Sequence, residues 1–207
     1  SSAASDVYKR QGINLERYKM QPYPKHIRIH FLYLGRIMKE KGIDELFYAV
    51  RHLKKENENF VLDLVGFFED EYKEQVKELE KHSIAHFYGF QSDPRPFYIE
   101  ADCIVLPSYH EGMSNVILEA AATGRPVITS NIPGCRESVE NGKSGLLVEV
   151  KNKEMLYDAM KEMLHCSREE REQMGQAGRE KMEREFRKEV VVEKTVQSLR
   201  EDEKRDF

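Results

Sequence analysis

The sequence predicts a doubly wound α/β domain, in which helices cover a six-stranded parallel sheet and a helical tail follows. From residue 27 onward, short apolar runs rich in β-branched residues alternate with longer charged segments of helical period. This alternation is typical of βαβ units and a parallel sheet. Gly35 and Gly66 end the first two apolar runs, and beyond Val150 the pattern is wholly helical.

The first half of the chain is predicted to contain three strands and three helices. In chain order these are a strand at 27–34, an amphipathic helix with Ile43, Leu46, Phe47, Val50 and Leu53 on one face, a strand at 60–65, a charged helix at 69–81, a strand at 84–88 and a short helix opened by Asp93 and Pro94. The apolar residues of the first helix recur at steps of three and four, which is the period of one helix face.

The second half is predicted to complete the sheet and then to form helices only. The predicted elements are strands at 103–106, 126–129 and 145–148, a helix at 114–123, a helix with Met155, Leu156, Ala159, Met160 and Met163 on one face, a helix at 168–185 and a charged helix after Phe186. We expect the methionine stripe of that fifth helix to lie in the core. Ligands of such sheets bind at the carboxyl ends of the strands.

Composition indicates one globular domain in the cytoplasm. The 207 residues are 40% hydrophobic and 34% charged, and the formal net charge of -4 leaves no basic excess for a nucleic-acid partner. The three cysteines contain no CxxC pair, so neither a disulfide framework nor a zinc site is indicated. No apolar run approaches the roughly 20 residues of a membrane-spanning helix. A GxGxxG motif after the first strand is also missing, which argues against NAD.

The first 11 residues, SSAASDVYKRQ, match one reading frame of a transposon-end adaptor used in sequencing libraries. We interpret them as translated adaptor and exclude them from the fold prediction. We therefore expect the natural protein to extend further on its N-terminal side.

Residues 111–119, EGMSNVILE, carry the chemistry of the predicted site. They place Glu111 and Glu119 eight positions apart, roughly 12 Å at about 1.5 Å per residue, across the start of a helix. Between them, the backbone amides of residues 112–115 would favour a phosphate at the helix N-terminus. A nucleotide-sugar carries a diphosphate between the hydroxyls of its ribose and those of its sugar. An anion site between two carboxylates that can accept hydrogen bonds from hydroxyls therefore matches a nucleotide-sugar. The alternative is that Glu111 is a solvated loop residue and that Glu119 faces outward.

This segment resembles the signature of the large retaining GT-B glycosyltransferase family, often called family 4 or glycosyl transferases group 1. The resemblance extends from Ile13 to about Val196. The further motifs that carry it are GRIMKEKG at 35–42, YGF at 88–90, LPS at 106–108, AAA at 120–122, GRPV at 124–127, PG at 133–134 and GLLV at 145–148. The signature interior GMSN replaces the commoner GFGL type, and such variants resemble transferases of capsule and exopolysaccharide assembly.

The resemblance implies a donor site for a nucleotide-diphosphate sugar, which we expect to be UDP-linked. The implied roles are diphosphate binding by Arg36 and Lys41 beside Gly35, sugar contact by Glu111, ribose contact by Glu119, a phosphate cradle from the backbone of Gly112, Met113, Ser114 and Asn115, and a border for the base from Phe90 and Gln91. Arg36, Lys41 and Glu111 are the predicted catalytic residues. Ordinary solvation of the two cations and simple packing of Phe90 remain open as alternatives.

The resemblance also implies how the reaction proceeds without a metal or cofactor. No two aspartates stand at the DxD spacing of metal-dependent transferases, and two cations near the diphosphate stabilise the charge that develops as it departs. Retention is expected through front-face attack, with Glu111 orienting the sugar rather than acting as nucleophile.

The predicted organisation is a crossover segment at 12–26, a donor-binding domain at 27–185 and a C-terminal helix and tail at 186–207. The acceptor, a glycan or polyprenyl-linked sugar, would bind to an N-terminal domain that is absent, so the chain alone is expected to be inactive. That domain could also bring the protein to the inner face of the cell membrane. Two other hypotheses remain open, a GT-B nucleotide-sugar epimerase and a non-catalytic nucleotide-sugar-binding module.

Overall fold

A single parallel sheet organises the chain, which the structure, a computed structural model, describes for residues 12–193. The strands are β1 Ile29–Leu34, β2 Phe60–Val65, β3 Ala85–Gly89, β4 Cys103–Leu106, β5 Val127–Ser130 and β6 Gly145–Val148. Their order across the sheet is β3-β2-β1-β4-β5-β6. The strand order therefore reverses between β1 and β4, the switch point at which such sheets bind ligands. The predicted six-stranded parallel sheet is confirmed.

Six α-helices flank the sheet. They are α1 Ile43–Lys55, α2 Lys73–Lys81, α3 Arg95–Glu100, α4 Asn115–Thr123, α5 Lys153–His165 and α6 Arg168–Lys181. All five apolar residues predicted for the inner face of α1 are fully buried. The side chains of β2 are buried at every position, because helices or loops cover both faces of a central parallel strand.

Several boundaries differ from the prediction for local physical reasons. Ile27 is 94% exposed and lies before β1. Helix α2 begins only at Lys73, because the amide of Glu69 donates to the carbonyl of Ile37 and holds the preceding loop. The expected core position of Met155 is wrong, since this side chain is 38% exposed in the first turn of α5, where its sulfur accepts the Glu149 amide.

The C-terminal elements also depart from the prediction. The predicted helix at 168–185 ends as an α-helix at Lys181 and continues as a π-helical turn, Met182–Phe186. The carbonyl of Phe186 accepts the amide of Ile13 at 2.7 Å, which joins the two ends of the described region. A helical segment follows at 188–193. The predicted adaptor at 1–11 and most of the predicted tail lie outside the described residues.

Three arginine side chains fasten the crossover segment to the domain. Arg125 donates to the carbonyls of Gln21 and Pro22, Arg168 to those of Tyr23 and Pro24, and Arg179 to that of Tyr18. Arg125 is fully buried, so its guanidinium depends on these carbonyls for hydrogen bonds. Residues 12–26 are therefore an integral part of the fold. None of the helices in residues 12–193 is long and apolar enough to span a membrane.

Candidate functional site

The loop that follows β1 lies against the loop that follows β4. The amide of Tyr109 donates to the carbonyl of Glu40 at 2.8 Å. Gly42 has φ +72°, and a Cβ at this position would stand 2.1 Å from the carbonyl oxygen of Pro107. Only glycine tolerates both this conformation and this approach. The contact brings the short 3₁₀ turn Lys39–Lys41 beside the carboxyl end of β4.

Lys41 and Glu111 form an ion pair at this contact. The ammonium nitrogen Nζ of Lys41 lies 2.5 Å from Oε1 of Glu111, and the two side chains are only 18% and 14% exposed. Removal of one partner would leave a largely buried charge without compensation, which is costly. Both residues were predicted for the site from the sequence, and the structure brings them together at the switch point.

The loop that follows β5 holds the Glu111 segment from the other side. Gly134 has φ +90°, and a Cβ there would stand 1.9 Å from the carbonyl oxygen of Gly112. The hydroxyl of Ser138 donates to the sulfur of Met113 at 3.2 Å. The backbone of residues 111–113 is therefore set by packing and not left as a solvated loop.

Helix α4 begins at Asn115, with Ser114 as its N-cap residue. The side chain of Ser114 is buried and makes no capping hydrogen bond to the first turn. The amides at this N-terminus therefore lack a side-chain cap and retain the partial positive charge that favours an anion. The predicted separation of roughly 12 Å between Glu111 and Glu119 assumed a helical rise over all eight positions. Because Glu111 precedes the helix, that rise applies only from Asn115 to Glu119.

Arg36 has a partner that the sequence analysis did not identify. Its guanidinium pairs with the carboxylate of Glu69 at 2.8 Å, with both side chains nearly half exposed. Such an exposed pair contributes about 0–1 kcal/mol. Arg36 can therefore exchange Glu69 for another anion at small cost, whereas the buried pair of Lys41 cannot exchange its partner as easily.

Glu119 is half-buried and lies beside two tyrosines, Tyr98 and Tyr18. The hydroxyl of Tyr98 donates to its Oε2 at 2.9 Å, and the ring of Tyr18 packs edge to face against the ring of Tyr98. Burial raises the pKa of Glu119, while the hydrogen bonds from Tyr98 and Tyr18 act in the opposite direction. The alternative that Glu119 simply faces outward is therefore wrong. The two tyrosines went unnoticed in the sequence because no local spacing relates them to Glu119.

The model of one protein family, described as glycosyl transferases group 1, matches residues 19–181. The chain belongs to this family. This group 1 chain is similar to the capsular polysaccharide biosynthesis glycosyltransferase CapM of Staphylococcus aureus, with 29% identity over 193 residues. The aligned region covers 88% of the chain and 50% of CapM. The chain therefore spans about half the length of this curated relative.

Solved structures agree with the group 1 fold. Sucrose-phosphate synthase from Thermosynechococcus elongatus superposes with a TM-score of 0.78 at 26% identity, covering 92% of the chain and 51% of the synthase. HepE of Anabaena, solved in complex with UDP and glucose, superposes with a TM-score of 0.74 over 91% of the chain and 55% of HepE. At 19% identity, HepE supports the fold alone. The predicted Rossmann-like half of a GT-B fold is confirmed.

Two further predicted residues of this group 1 domain, Phe90 and Gln91, lie at the carboxyl end of β3. Phe90 is 70% exposed, and the exposed side chain of Gln91 donates to the carbonyl of Tyr88 at 2.8 Å. Phe90 is therefore not a core packing residue, which was the alternative interpretation. Its aromatic face is free to contact a flat partner.

A cavity of about 460 Å³ lies outside the predicted site. The crossover segment, the start of α3 and the end of α4 form its walls. The residues that line it are Glu16, Arg17, Tyr18, Lys19, Gln21, Asp93, Arg95, Pro96, Ile99 and Thr123. Tyr18, whose ring packs against that of Tyr98, connects this cavity to the predicted site.

Proposed function

We propose that this chain is the donor-binding half of a retaining family 4 glycosyltransferase. The whole enzyme would transfer a hexosyl residue from a nucleotide-diphosphate sugar to a surface glycan. One observation carries the proposal, the buried pair of Lys41 and Glu111 beside the uncapped N-terminus of α4, with Glu119 one helical turn further on. Membership of the group 1 family supports the reaction class.

The three parts of the site suit the three parts of the donor. The amides at the start of α4 and the ammonium of Lys41 would bind the diphosphate, joined by Arg36 once it leaves Glu69. As the glycosidic bond breaks, negative charge grows on the departing diphosphate, and these donors stabilise it. Glu111 would orient the sugar hydroxyls and Glu119 would accept from the ribose. The positive charge comes from the protein, so the proposed reaction uses no metal.

The name of a relative supports a narrower part of the proposal. The name of CapM refers to capsular polysaccharide biosynthesis, which favours a surface glycan as product. As the family resemblance implies, we propose that the donor is UDP-linked. We propose further that a preceding domain binds the acceptor, a glycan or polyprenyl-linked sugar, at the inner face of the membrane. The half-length match to CapM supports a further domain, and the acceptor and its location at the membrane follow from the family resemblance.

Calorimetric titration of the purified chain with UDP, GDP and ADP tests the donor site. We expect one diphosphate to bind, and Arg36→Ala and Glu119→Ala each to weaken binding by about 10-fold, the equivalent of 1.4 kcal/mol. Arg51→Ala is the matched control for Arg36, because Arg51 also pairs with an exposed glutamate, Glu78, on the surface of the domain. Its binding should equal that of the unsubstituted chain.

Two results would contradict the proposal. Equal affinity in the Arg36, Glu119 and Arg51 variants would place nucleotide binding elsewhere. Release of an epimerised nucleotide-sugar, or transfer by this chain alone, would contradict the assignment as the donor half of a transferase.

A further inference from the structure

The carboxylate of Glu119 lies between two phenols that come from different parts of the chain. Tyr98 belongs to α3 and donates to Oε2 at 2.9 Å. Tyr18 belongs to the crossover segment, and its hydroxyl is close enough to Glu119 to lower the pKa of that carboxyl group. Hydrogen bonds between a hydroxyl and an ionised carboxylate are shorter and stronger than neutral ones.

The two tyrosine rings have little freedom to move. Tyr98 is fully buried and Tyr18 is 7% exposed. Their rings meet edge to face, with centroids 6.2 Å apart and an angle of 77° between the planes. Because the rings pack against each other, the direction of the Tyr98 hydroxyl toward Glu119 is set by the packing of the domain.

Each tyrosine is also fastened at its backbone by an arginine. Nε of Arg125 donates to the carbonyl of Tyr98 at 3.0 Å, and Arg179 donates to the carbonyl of Tyr18 at 2.9 Å. Arg125 simultaneously holds the crossover segment that carries Tyr18. The position of the Glu119 carboxylate is thus defined by contacts from α3, from α6 and from the crossover segment together.

We infer that Tyr98 and Tyr18 are positioning residues that keep the Glu119 carboxylate ionised and oriented toward the ribose hydroxyls of the donor. This inference rests on the proposed function. The ribose hydroxyls can donate to Glu119 as a pair only while its carboxyl group is ionised. Both tyrosines act through Glu119.

The protonation of Glu119 depends on opposing effects of its surroundings. Burial raises the pKa of Glu119, whereas hydrogen bonds from Tyr98 and Tyr18 and the charge of Arg17 lower it. Without one phenol the desolvation penalty would be less well compensated, and the carboxyl group would take up a proton at higher pH. A protonated Glu119 would turn one acceptor oxygen into a donor.

The first test follows the carboxyl carbon of Glu119 by NMR during a pH titration of the labelled chain. We expect Tyr98→Phe and Tyr18→Phe to move the Glu119 midpoint to higher pH, because phenylalanine keeps the ring and removes only the hydroxyl. Tyr72→Phe is the matched control, since Tyr72 is buried and donates to another carboxylate, Asp44, at 2.8 Å. An unchanged Glu119 midpoint in both Tyr98→Phe and Tyr18→Phe would overturn the inference.

The second test compares UDP with 2′,3′-dideoxy-UDP, which has the same phosphates and no ribose hydroxyls. At neutral pH we expect Tyr98→Phe to weaken UDP binding by about 5- to 20-fold and dideoxy-UDP binding by less than about 2-fold. Equal losses for both nucleotides would mean that the tyrosine has a structural role only. If instead Glu119→Gln does not distinguish the two nucleotides, the proposed ribose contact fails while the titration result stands.

Discussion

The ammonium group of Lys41 and the carboxylate of Glu111 meet at 2.5 Å although 70 positions separate them in the chain. Their loops follow β1 and β4, the neighbouring strands at which the sheet order reverses. The pair is the point where the proposed diphosphate and sugar subsites touch. A donor that engages either residue must compete with this contact or share it.

Breaking this pair from one side should destabilise the domain. We expect Lys41→Met and Glu111→Gln each to lower the free energy of unfolding by about 1–3 kcal/mol. This loss is below the usual penalty for a fully buried pair, because the side chains are 18% and 14% exposed. The double variant should lose less stability than the sum of the losses in the two single variants, because neither charge is then left without its partner. Urea unfolding measures all three. Strict additivity would show that the two charges do not interact.

Gly42 and Gly142 offer a matched pair of left-handed glycines. Their φ angles are +72° and +74°, but only at Gly42 would an added Cβ meet a neighbour, the Pro107 carbonyl oxygen at 2.1 Å, whereas nothing lies within 4 Å at Gly142. We expect Gly142→Ala to cost about 1–2 kcal/mol and Gly42→Ala to cost about 2 kcal/mol more in urea unfolding. Similar stability losses in the two variants would mean that the loop after β1 can shift to accommodate the added methyl group at little cost.

Removing Glu69 should free Arg36 for the donor. Because the Arg36–Glu69 pair is exposed, we expect Glu69→Gln to change stability by less than about 0.5 kcal/mol. UDP binding, measured by calorimetry, should tighten by about 2- to 5-fold at low salt. Glu78→Gln, which removes the partner of Arg51, is the control. Weaker UDP binding in Glu69→Gln would assign Glu69 a role other than competition with the diphosphate.

The pair of His30 and Asp63 should make stability depend on pH. The imidazole nitrogen Nδ1 lies 2.8 Å from Oδ2 of Asp63, and this hydrogen bond raises the pKa of His30 although burial opposes it. A raised pKa in the folded state favours the protonated form there. Its stabilising contribution is therefore complete below the unfolded pKa of about 6.5 and is lost as pH rises through the folded value.

His30→Gln tests this dependence. We expect the substitution to cost more stability at about pH 5.5 than at about pH 8.5, measured by urea unfolding. In an Asp63→Asn background the difference between the two pH values should disappear, because the carboxylate that raises the pKa is gone. A cost that does not vary with pH in the chain with Asp63 would contradict the assignment.

The hydrophobic periodicity of the sequence predicted the helices and strands well, but it predicted the contact partners of individual side chains poorly. The inner face of α1 and the buried strand β2 follow from local spacing, because burial repeats with the helix and strand periods. Glu69 was assigned to a helix, yet it lies in a loop and pairs with Arg36. Its pairing depends on how the loops after β1 and β2 align, and no pattern in either loop alone contains that information.

The sequence by itself determined the fold class, the family signature and the identity of Lys41, Glu111 and Glu119 as candidate residues, since these depend on local period and on motifs a few residues long. Only the tertiary structure decided that Lys41 meets Glu111, that Arg36 turns to Glu69 and that Tyr98 donates to Glu119. The physical reason is that each of these contacts joins segments distant in the chain. Such contacts exist only after the strand order β3-β2-β1-β4-β5-β6 has placed the loops side by side.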